Sequence, residues 1–130
     1  MEIDHLIVPV TDYERAKRFY AQVLEPLGFG ILLDWLDERR AYLGIPPAPS
    51  SLWLVESDAA GTLEIAVCAP DTAAVDAFHA AAVAAGARTI REPGADLERS
   101  SRHYAARVLD PDGNSLEAVH YAAASALAAA

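Results

Sequence analysis

The chain has 130 residues, of which 53% are hydrophobic and 22% are charged, so we expect one globular domain rather than a disordered segment. Its formal net charge of −9 disfavours binding to nucleic acid, and no apolar run approaches the ~20 residues that a membrane-spanning helix needs. The acidic N-terminus is unlike a signal peptide, and the single cysteine, Cys68, excludes an internal disulfide, which favours a cytoplasmic location. Small-molecule chemistry or protein contacts remain as the expected activities.

The first half of the chain predicts a strand, a helix and three further strands. The apolar segment IDHLIVPV is typical of a strand, and TDYERAKRFYAQVLEPLGF predicts a helix that Thr11 or Asp12 caps and that Gly28 and Gly30 end. The segment IPPAPSS separates the last two strands because proline lacks the amide hydrogen that a strand ladder requires. The three strands are expected at residues 31–36, 40–44 and 52–55.

The second half predicts the same order of elements. TLEIAVCAP is a strand, DTAAVDAFHAAAVAAGA is a helix that Gly86 closes, and a short strand follows at residues 88–91. The polar segment EPGADLERSSR is either a lid or an ordinary connection. DPDGN at residues 110–114 has the composition of a hairpin turn, so the strands on either side of it are expected to pair. The end of the chain, YAAASALAAA, is compatible with an uncharged helix.

The two halves also match residue by residue. HLIVPVTDYERAKRFY lies over EIAVCAPDTAAVDAFH at a constant offset of 59, which places His5 on Glu64. SLWLV lies over SLEAV at an offset of 64, which places Trp53 on Glu117. Duplicated modules usually pack about a pseudo-twofold axis, so we expect the members of each pair to face each other across a shared sheet.

Three of these four positions carry side chains that bind metal ions, on strands that are otherwise apolar. Taken alone, His5 is as well explained by a partly buried histidine that bonds a backbone carbonyl, and Glu64 by a surface residue on an edge strand. The register match together with Glu117 favours a metal site, because unpaired carboxylates in an apolar cavity are costly. One imidazole and two carboxylates suit a divalent ion: Zn, Ni, Mn, Fe, Co or Mg.

The paired modules resemble the vicinal oxygen chelate superfamily, which includes glyoxalase I, bleomycin-resistance proteins and extradiol dioxygenases. IDHLIVPVTDYERAKRFYAQVLEPLGF, LEIAVCAPDTAAVDAFHAAAVAAGA and YAARVLDPDGNSLEAV carry the resemblance, which covers residues 3–120. It implies an α+β fold in which two βαβββ modules curl a mixed sheet round a cavity, with helices on the outer face. The modules would be residues 1–57 and 61–122, followed by an alanine-rich tail at residues 123–130. The resemblance also implies a homodimer and the metal ligands His5, Glu64 and Glu117.

The sequence departs from the superfamily's pattern at two positions. The fifth-strand ligand is commonly histidine in the superfamily, and here it is Glu64. Glyoxalase I also has a fourth, carboxylate ligand on the strand that ends the first module, where Trp53 stands here. Glu56 is a weak substitute because strand alternation places it on the face opposite Trp53. The two-histidine, one-carboxylate set of iron dioxygenases is not matched either, which lowers the expectation of a ring-cleaving dioxygenase.

The favoured function is therefore a divalent-metal-dependent enzyme of the glyoxalase or epimerase type. It would be an isomerase or lyase acting on a small α-oxygenated carbonyl compound, with Glu64 and Glu117 as metal ligands or as the proton-transferring base. The main alternative is a non-catalytic binding protein of the bleomycin-resistance type, for which the acidic charge favours a cationic ligand. A dioxygenase-like oxidoreductase is the second alternative.

Four further residues are candidates for contact with the small molecule. Trp53 is either a pocket wall or part of the core, and His103 is placed at the mouth of the cavity. Either Tyr104 or Arg107 faces the cavity, because a four-residue hairpin loop would direct Tyr104 inward and a five-residue loop would direct Arg107 inward.

Overall fold

The computed structural model describes residues 3–47, 51–59, 61, 63–95 and 103–122. Two βαβββ modules follow one another along the chain, which confirms the predicted α+β fold. Short 3₁₀ turns at Glu25–Leu27 and Leu36–Glu38 follow the first helix and the second strand. None of the described helices is long and apolar enough to cross a membrane. The elements are β1 (His5–Val10), α1 (Tyr13–Leu24), β2 (Gly30–Trp35), β3 (Arg40–Gly44), β4 (Ser51–Glu56), β5 (Glu64–Cys68), α2 (Thr72–Ala84), β6 (Arg88–Ala95), β7 (His103–Leu109) and β8 (Ser115–Tyr121).

The two helices begin in the same way, which makes the internal repeat visible in the structure. The Asp12 carboxylate accepts a hydrogen bond from the Arg15 amide at 3.1 Å, so α1 is capped by this aspartate and not by the preceding threonine. The Asp71 carboxylate accepts from the Ala74 amide at 2.8 Å and caps α2. Each bond satisfies an amide that has no partner within its own helix. The caps lie at the offset of 59 that relates the two sequences.

The described strands form two separate four-stranded sheets, one from each module. Their strand orders are β1-β4-β3-β2 and β5-β8-β7-β6, with the first and last strands of each module paired in parallel. The prediction of a single shared sheet in which His5 faces Glu64 is therefore wrong for one chain. In each module the helix covers one face of the sheet. Because α1 packs against α2 between the sheets, the two modules meet through their helices.

Alternation along the strands decides which side chains enter the core. Val8 and Leu54 in the first sheet and Val108 and Leu116 in the second are fully buried on the faces that the helices cover. The residues that alternate with these along each strand point to the opposite face of the sheet, which we call its open face. On α1 and α2 the buried positions recur at helical spacing, including Tyr13, Ala16, Tyr20, Val23, Leu24, Val75, Phe78 and Ala82.

The last hairpin is held by the buried carboxylate of Asp110, which accepts four hydrogen bonds. Its donors are the backbone amides of Asp112 and Asn114 and the side-chain amide of Asn114, all at 2.8 Å, and the Tyr20 hydroxyl at 2.5 Å. Gly113 has φ 92°, which an L side chain rarely adopts, so glycine fits this position of the turn. Because Tyr20 belongs to α1, the DPDGN turn joins the second module to the first.

Most predicted elements are confirmed, and β6 is the main difference. The predicted short strand at residues 88–91 extends to Ala95 and includes the start of the segment interpreted as a lid or connection. The rest of that segment, residues 96–102, lies outside the described residues, as does the alanine-rich tail at residues 123–130.

Candidate functional site

The open face of the first sheet carries four aromatic side chains in contact, which we call the aromatic wall: His5, Trp35, Tyr42 and Trp53. The ring centroids of His5 and Trp53 are 4.4 Å apart with the planes 21° from parallel, a stacked arrangement. Tyr42 meets Trp53 edge-on at 4.5 Å, and Trp35 meets it edge-on at 6.5 Å. The wall forms because strand register brings these residues, one from each strand, onto the same face.

The aromatic wall is partly open to solvent, and a cation lies over two of its rings. Trp35 is 41% exposed, and Trp53 and Tyr42 are partly exposed. The Arg40 guanidinium lies 5.0 Å from the Trp53 ring centroid and 5.5 Å from that of Trp35, within the range of cation–π attraction. The part of this face that reaches solvent is therefore aromatic, a surface chemistry with which flat rings pair favourably.

His5 is engaged within its own module. Its imidazole stacks on Trp53, and its Nδ1 lies 2.8 Å from a carboxylate oxygen of Asp4. The contact is exposed to solvent on the side of Asp4. The Nε2 atom is the remaining position at which the ring can act on another group.

The open face of the second sheet carries a buried carboxylate that an arginine neutralises. Arg107 Nε and Nη2 donate to the same Glu117 oxygen, Oε2, at 3.1 and 2.9 Å. His103 Nε2 lies 3.8 Å from the other oxygen, Oε1, and both Glu117 and His103 are buried. The pair forms because Arg107 lies directly opposite Glu117 in the antiparallel ladder of β7 and β8. The sequence placed both residues at the site but did not anticipate that they would bond each other.

Glu64 and Glu117 line one small cavity, which we call the acidic pocket. Its volume is about 220 Å³, and Arg107 and Ser115 also line it. The two glutamates share a face because Glu64 pairs with Ser115, two residues before Glu117 on the parallel strand β8. Glu64 is exposed at the rim and Glu117 is buried at the base. The prediction that these two carboxylates face a common space agrees with this geometry.

One chain does not assemble the predicted metal-ligand set. His5 belongs to the first sheet and both glutamates to the second, and the modules meet through helices instead of sharing a sheet. Across the part of the chain that the structure describes, no group of three histidine, cysteine, aspartate or glutamate side chains is placed to hold a metal ion. These three side chains therefore do not fit a metal site within one chain.

Tyr104 and Glu56 lie away from both open faces. Five residues separate β7 from β8, so Arg107 faces the acidic pocket, and Tyr104 points to the helix-covered side. Its hydroxyl donates to Asp76 of α2 at 2.6 Å, and this bond raises the pKa of Tyr104. Tyr104 is thus corrected from a candidate substrate contact to a residue of the helix–sheet interface. Glu56 accepts from the Tyr13 amide at 3.1 Å at the start of α1, on the face opposite Trp53 as predicted.

The fold and these two open faces can be compared with known proteins. A family model for the Glyoxalase/Bleomycin resistance protein/Dioxygenase superfamily matches residues 2–118. The chain belongs to this superfamily. The search of curated proteins found no match.

Solved structures of the superfamily are similar to the chain over nearly its full length. A glyoxalase/bleomycin resistance protein from Albidiferax ferrireducens is 29% identical with a TM-score of 0.77, and the match covers 91% of this chain and 98% of that one. TnmS3, described as an antibiotic binding protein from a Streptomyces species, is 27% identical with a TM-score of 0.70, covering 94% and 97% of the two chains. A glyoxalase I variant from Zea mays, at 23% identity and a TM-score of 0.67, shares the fold over 89% of this chain and 43% of its own.

Three residues on the open face of the first sheet were not predicted from the sequence as site residues. Trp35, Arg40 and Tyr42 were read only as parts of strands, although Trp53 was named as a possible wall. The signal was available in part: Arg40 and Tyr42 alternate with the buried Ala41 and Leu43, so they share one face of β3. What the pattern lacked was the register of β3 against β4, which places Tyr42 opposite Trp53.

Proposed function

We propose that this member of the superfamily is a binding protein that holds a planar aromatic small molecule against the aromatic wall. The observation that carries the proposal is the stack of His5 on Trp53, at the strand positions from which the superfamily resemblance implied metal ligation. A stacked imidazole and an indole present a flat, polarisable surface, and pockets for drug-sized ligands are mostly apolar and aromatic with a few polar groups. The wall has this composition.

Charge and similarity support the same function. The net charge of −9 favours a ligand that carries positive charge. Glu64 lies on the second sheet, so its exposed carboxylate would reach a ligand on the wall only across a dimer. Arg107 already supplies a positive charge to the buried Glu117 carboxylate, which reduces the need for a metal ion at the base of the acidic pocket. TnmS3, which shares the fold over nearly the whole chain, is described as an antibiotic binding protein.

We further propose that a second copy of the chain completes the binding cleft. Ile7 and Leu33 flank the aromatic wall and are 51% and 45% exposed, which is unusual for side chains at the centre of a sheet face. In a homodimer, the second sheet of one copy would cover the first sheet of the other and enclose a ligand between them. Light scattering after size-exclusion chromatography should give twice the mass of one chain. A monomer at micromolar concentration would contradict the dimer.

The tryptophans allow binding to be measured directly. The chain has two, Trp35 and Trp53, and both belong to the wall, so intrinsic fluorescence reports on this face. Titration with bleomycin and with the planar cation ethidium should quench the fluorescence, and calorimetry should give the same dissociation constant. Trp53→Leu should weaken binding at least tenfold. Tyr104→Phe, a matched aromatic change on the helix-covered side of the other sheet, should leave it unchanged.

Two outcomes would contradict this proposal. One is that neither probe binds the wild-type chain at concentrations up to about a millimolar. The other is that Trp53→Leu binds as well as wild type while its oligomeric state is unaltered. Either result would exclude the aromatic wall as the binding surface for these ligands.

A metal-dependent glyoxalase-type enzyme, an isomerase or lyase, is the second candidate function. It is favoured by one observation, that Glu64 and Glu117 line the same cavity. A third ligand, His5, would have to come from a second copy. Metal analysis of protein purified without chelator tests this candidate. A stoichiometric divalent ion that is lost in both His5→Ala and Glu117→Ala would favour the enzyme, and metal-free protein that binds ethidium would favour the binding function.

A further inference from the structure

A second and larger cavity lies on the helix-covered side of the molecule, away from both open faces. Its volume is about 590 Å³, and it lies between α1, the end of α2, the start of β6 and the DPDGN turn. Pockets for small molecules typically have volumes of ~300–1,000 Å³, so this cavity is large enough for a metabolite. It shares no lining residue with the acidic pocket or the aromatic wall.

Three arginines line this cavity, which we call the arginine groove. The chain has 10 lysines and arginines in total against 19 acidic residues, so three of its cations at one cavity are a local reversal of its charge. Arg15, Arg18 and Gln22 are three and four residues apart on α1 and therefore share one face of the helix. Arg88 approaches from the other side at the first residue of β6.

Two of the three guanidinium groups of this groove are available to a ligand. Arg18 and Arg88 are exposed, and neither has a carboxylate within ion-pair distance among the residues that the structure describes. Arg15 is more engaged, since its Nη2 lies 3.7 Å from a carboxylate oxygen of Asp112. Asp110 also lines the groove, but its carboxylate already accepts four hydrogen bonds.

The groove combines charged, apolar and amide groups, a combination that suits an organic anion. Guanidinium forks match phosphate geometry with paired hydrogen bonds and keep their charge at every physiological pH. Phe19 and Leu109 supply apolar surface beside them, and Gln22 supplies an amide. Three negative contributions oppose the arginines: the carboxylate of Asp110 in the lining, that of Asp112 beside Arg15, and a partial charge of about −0.5 at the carboxyl end of α2. Attraction for an anion therefore depends on Arg18 and Arg88.

We propose that the arginine groove is a second binding site, for a small phosphorylated molecule. Phosphate would lie between Arg18 and Arg88, on opposite sides of the groove, and the organic part would rest on the partly exposed Leu109. The site is independent of the aromatic wall, so both can be occupied at once.

Calorimetry at low ionic strength with pyrophosphate and with ribose 5-phosphate tests this site. Wild-type protein should bind at least one of them with a dissociation constant below about a millimolar. Arg18→Ala and Arg88→Ala should each weaken binding at least fivefold, and the double variant should abolish it. Arg39→Ala is the matched control, because it removes an exposed arginine outside the groove. Circular dichroism should show that all variants are folded, since exposed substitutions change stability by less than about 0.5 kcal/mol.

Two results would overturn the second site. One is that neither phosphorylated probe binds the wild-type chain. The other is that Arg39→Ala weakens binding as much as Arg18→Ala, which would show attraction to general surface charge. Trp53→Leu should still bind the phosphorylated probe, so failure at the aromatic wall and failure at the arginine groove are distinguishable.

Discussion

The bond between Tyr20 and Asp110 joins the two modules, and its loss should destabilise the whole fold. Tyr20 is fully buried and Asp110 is 5% exposed, and the hydroxyl donates to the carboxylate at 2.5 Å. Burial and the neighbouring carboxylate raise the pKa of Tyr20, so it remains a donor at neutral pH. Tyr20→Phe leaves the carboxylate with three donors. A hydrogen bond to a charged group contributes ~1.5–3 kcal/mol, so we expect the free energy of unfolding to fall by about 2 kcal/mol.

Tyr104→Phe provides a matched control for that experiment. Its hydroxyl also donates to an aspartate, Asp76, at 2.6 Å, but this bond is exposed, so its removal should cost less than about 0.5 kcal/mol. Urea unfolding followed by circular dichroism at one fixed protein concentration should show the difference in midpoint with an unchanged slope. In a thermal scan, Tyr20→Phe should lower the Tm by roughly 8 °C. Equal losses in the two variants would refute the argument that burial gives the Tyr20–Asp110 bond its weight.

Three further changes test local features of the fold by urea unfolding. Asp71→Ala removes the cap of α2 and should cost about 1 kcal/mol, which Asp71→Asn should largely restore. Gly113→Ala should cost about 1 kcal/mol through its φ of 92° alone, because an added methyl group would meet no atom within 4 Å, and a larger loss would indicate a clash. Asp34 accepts hydrogen bonds from Lys17 and Tyr13, in that order of effect, which lower its pKa. The contribution of Asp34 to the free energy of unfolding is therefore complete above the ordinary pKa of ~3.9 and is lost as the pH falls through the lowered pKa. In Asp34→Asn the free energy of unfolding should depend less on pH in that range. An unaltered pH profile would contradict the assignment.

The order of elements could be predicted from the sequence because it depends on local signals. Aspartate caps, alternating strands and the DPDGN turn each act over a few residues, and the structure follows them. The second half of β6 was missed because Pro93 and Gly94 are typical of loops. These residues are accommodated because β6 is an edge strand and its pairing with β7 shifts register between Arg91 and Gly94. Only the neighbouring strand, which is distant in sequence, reveals that pairing.

The faces of the candidate site could be predicted, whereas the relation between the modules could not. The register match between the two halves and the resemblance assigned Glu64 and Glu117 to one site, and in the structure both line one cavity. The expectation that His5 would join them assumed that the two modules share a sheet. Each module forms its own sheet, and the modules meet where α1 packs against α2, neither of which strand alternation encodes. A second copy of the chain is the remaining route by which the two open faces could meet.

Each of the two open faces differs from a metal site in its own way. At the end of the first module, Trp53 stands where the superfamily resemblance implied a carboxylate, and it holds His5 in a stack. At the equivalent position of the second module, the carboxylate of Glu117 is present but two N–H groups of Arg107 already bond one of its oxygens. A cation that bound Glu117 through this oxygen would have to displace bonds of about 1.5–3 kcal/mol each. An aromatic ligand on the wall displaces none of these bonds, which supports the proposed binding function.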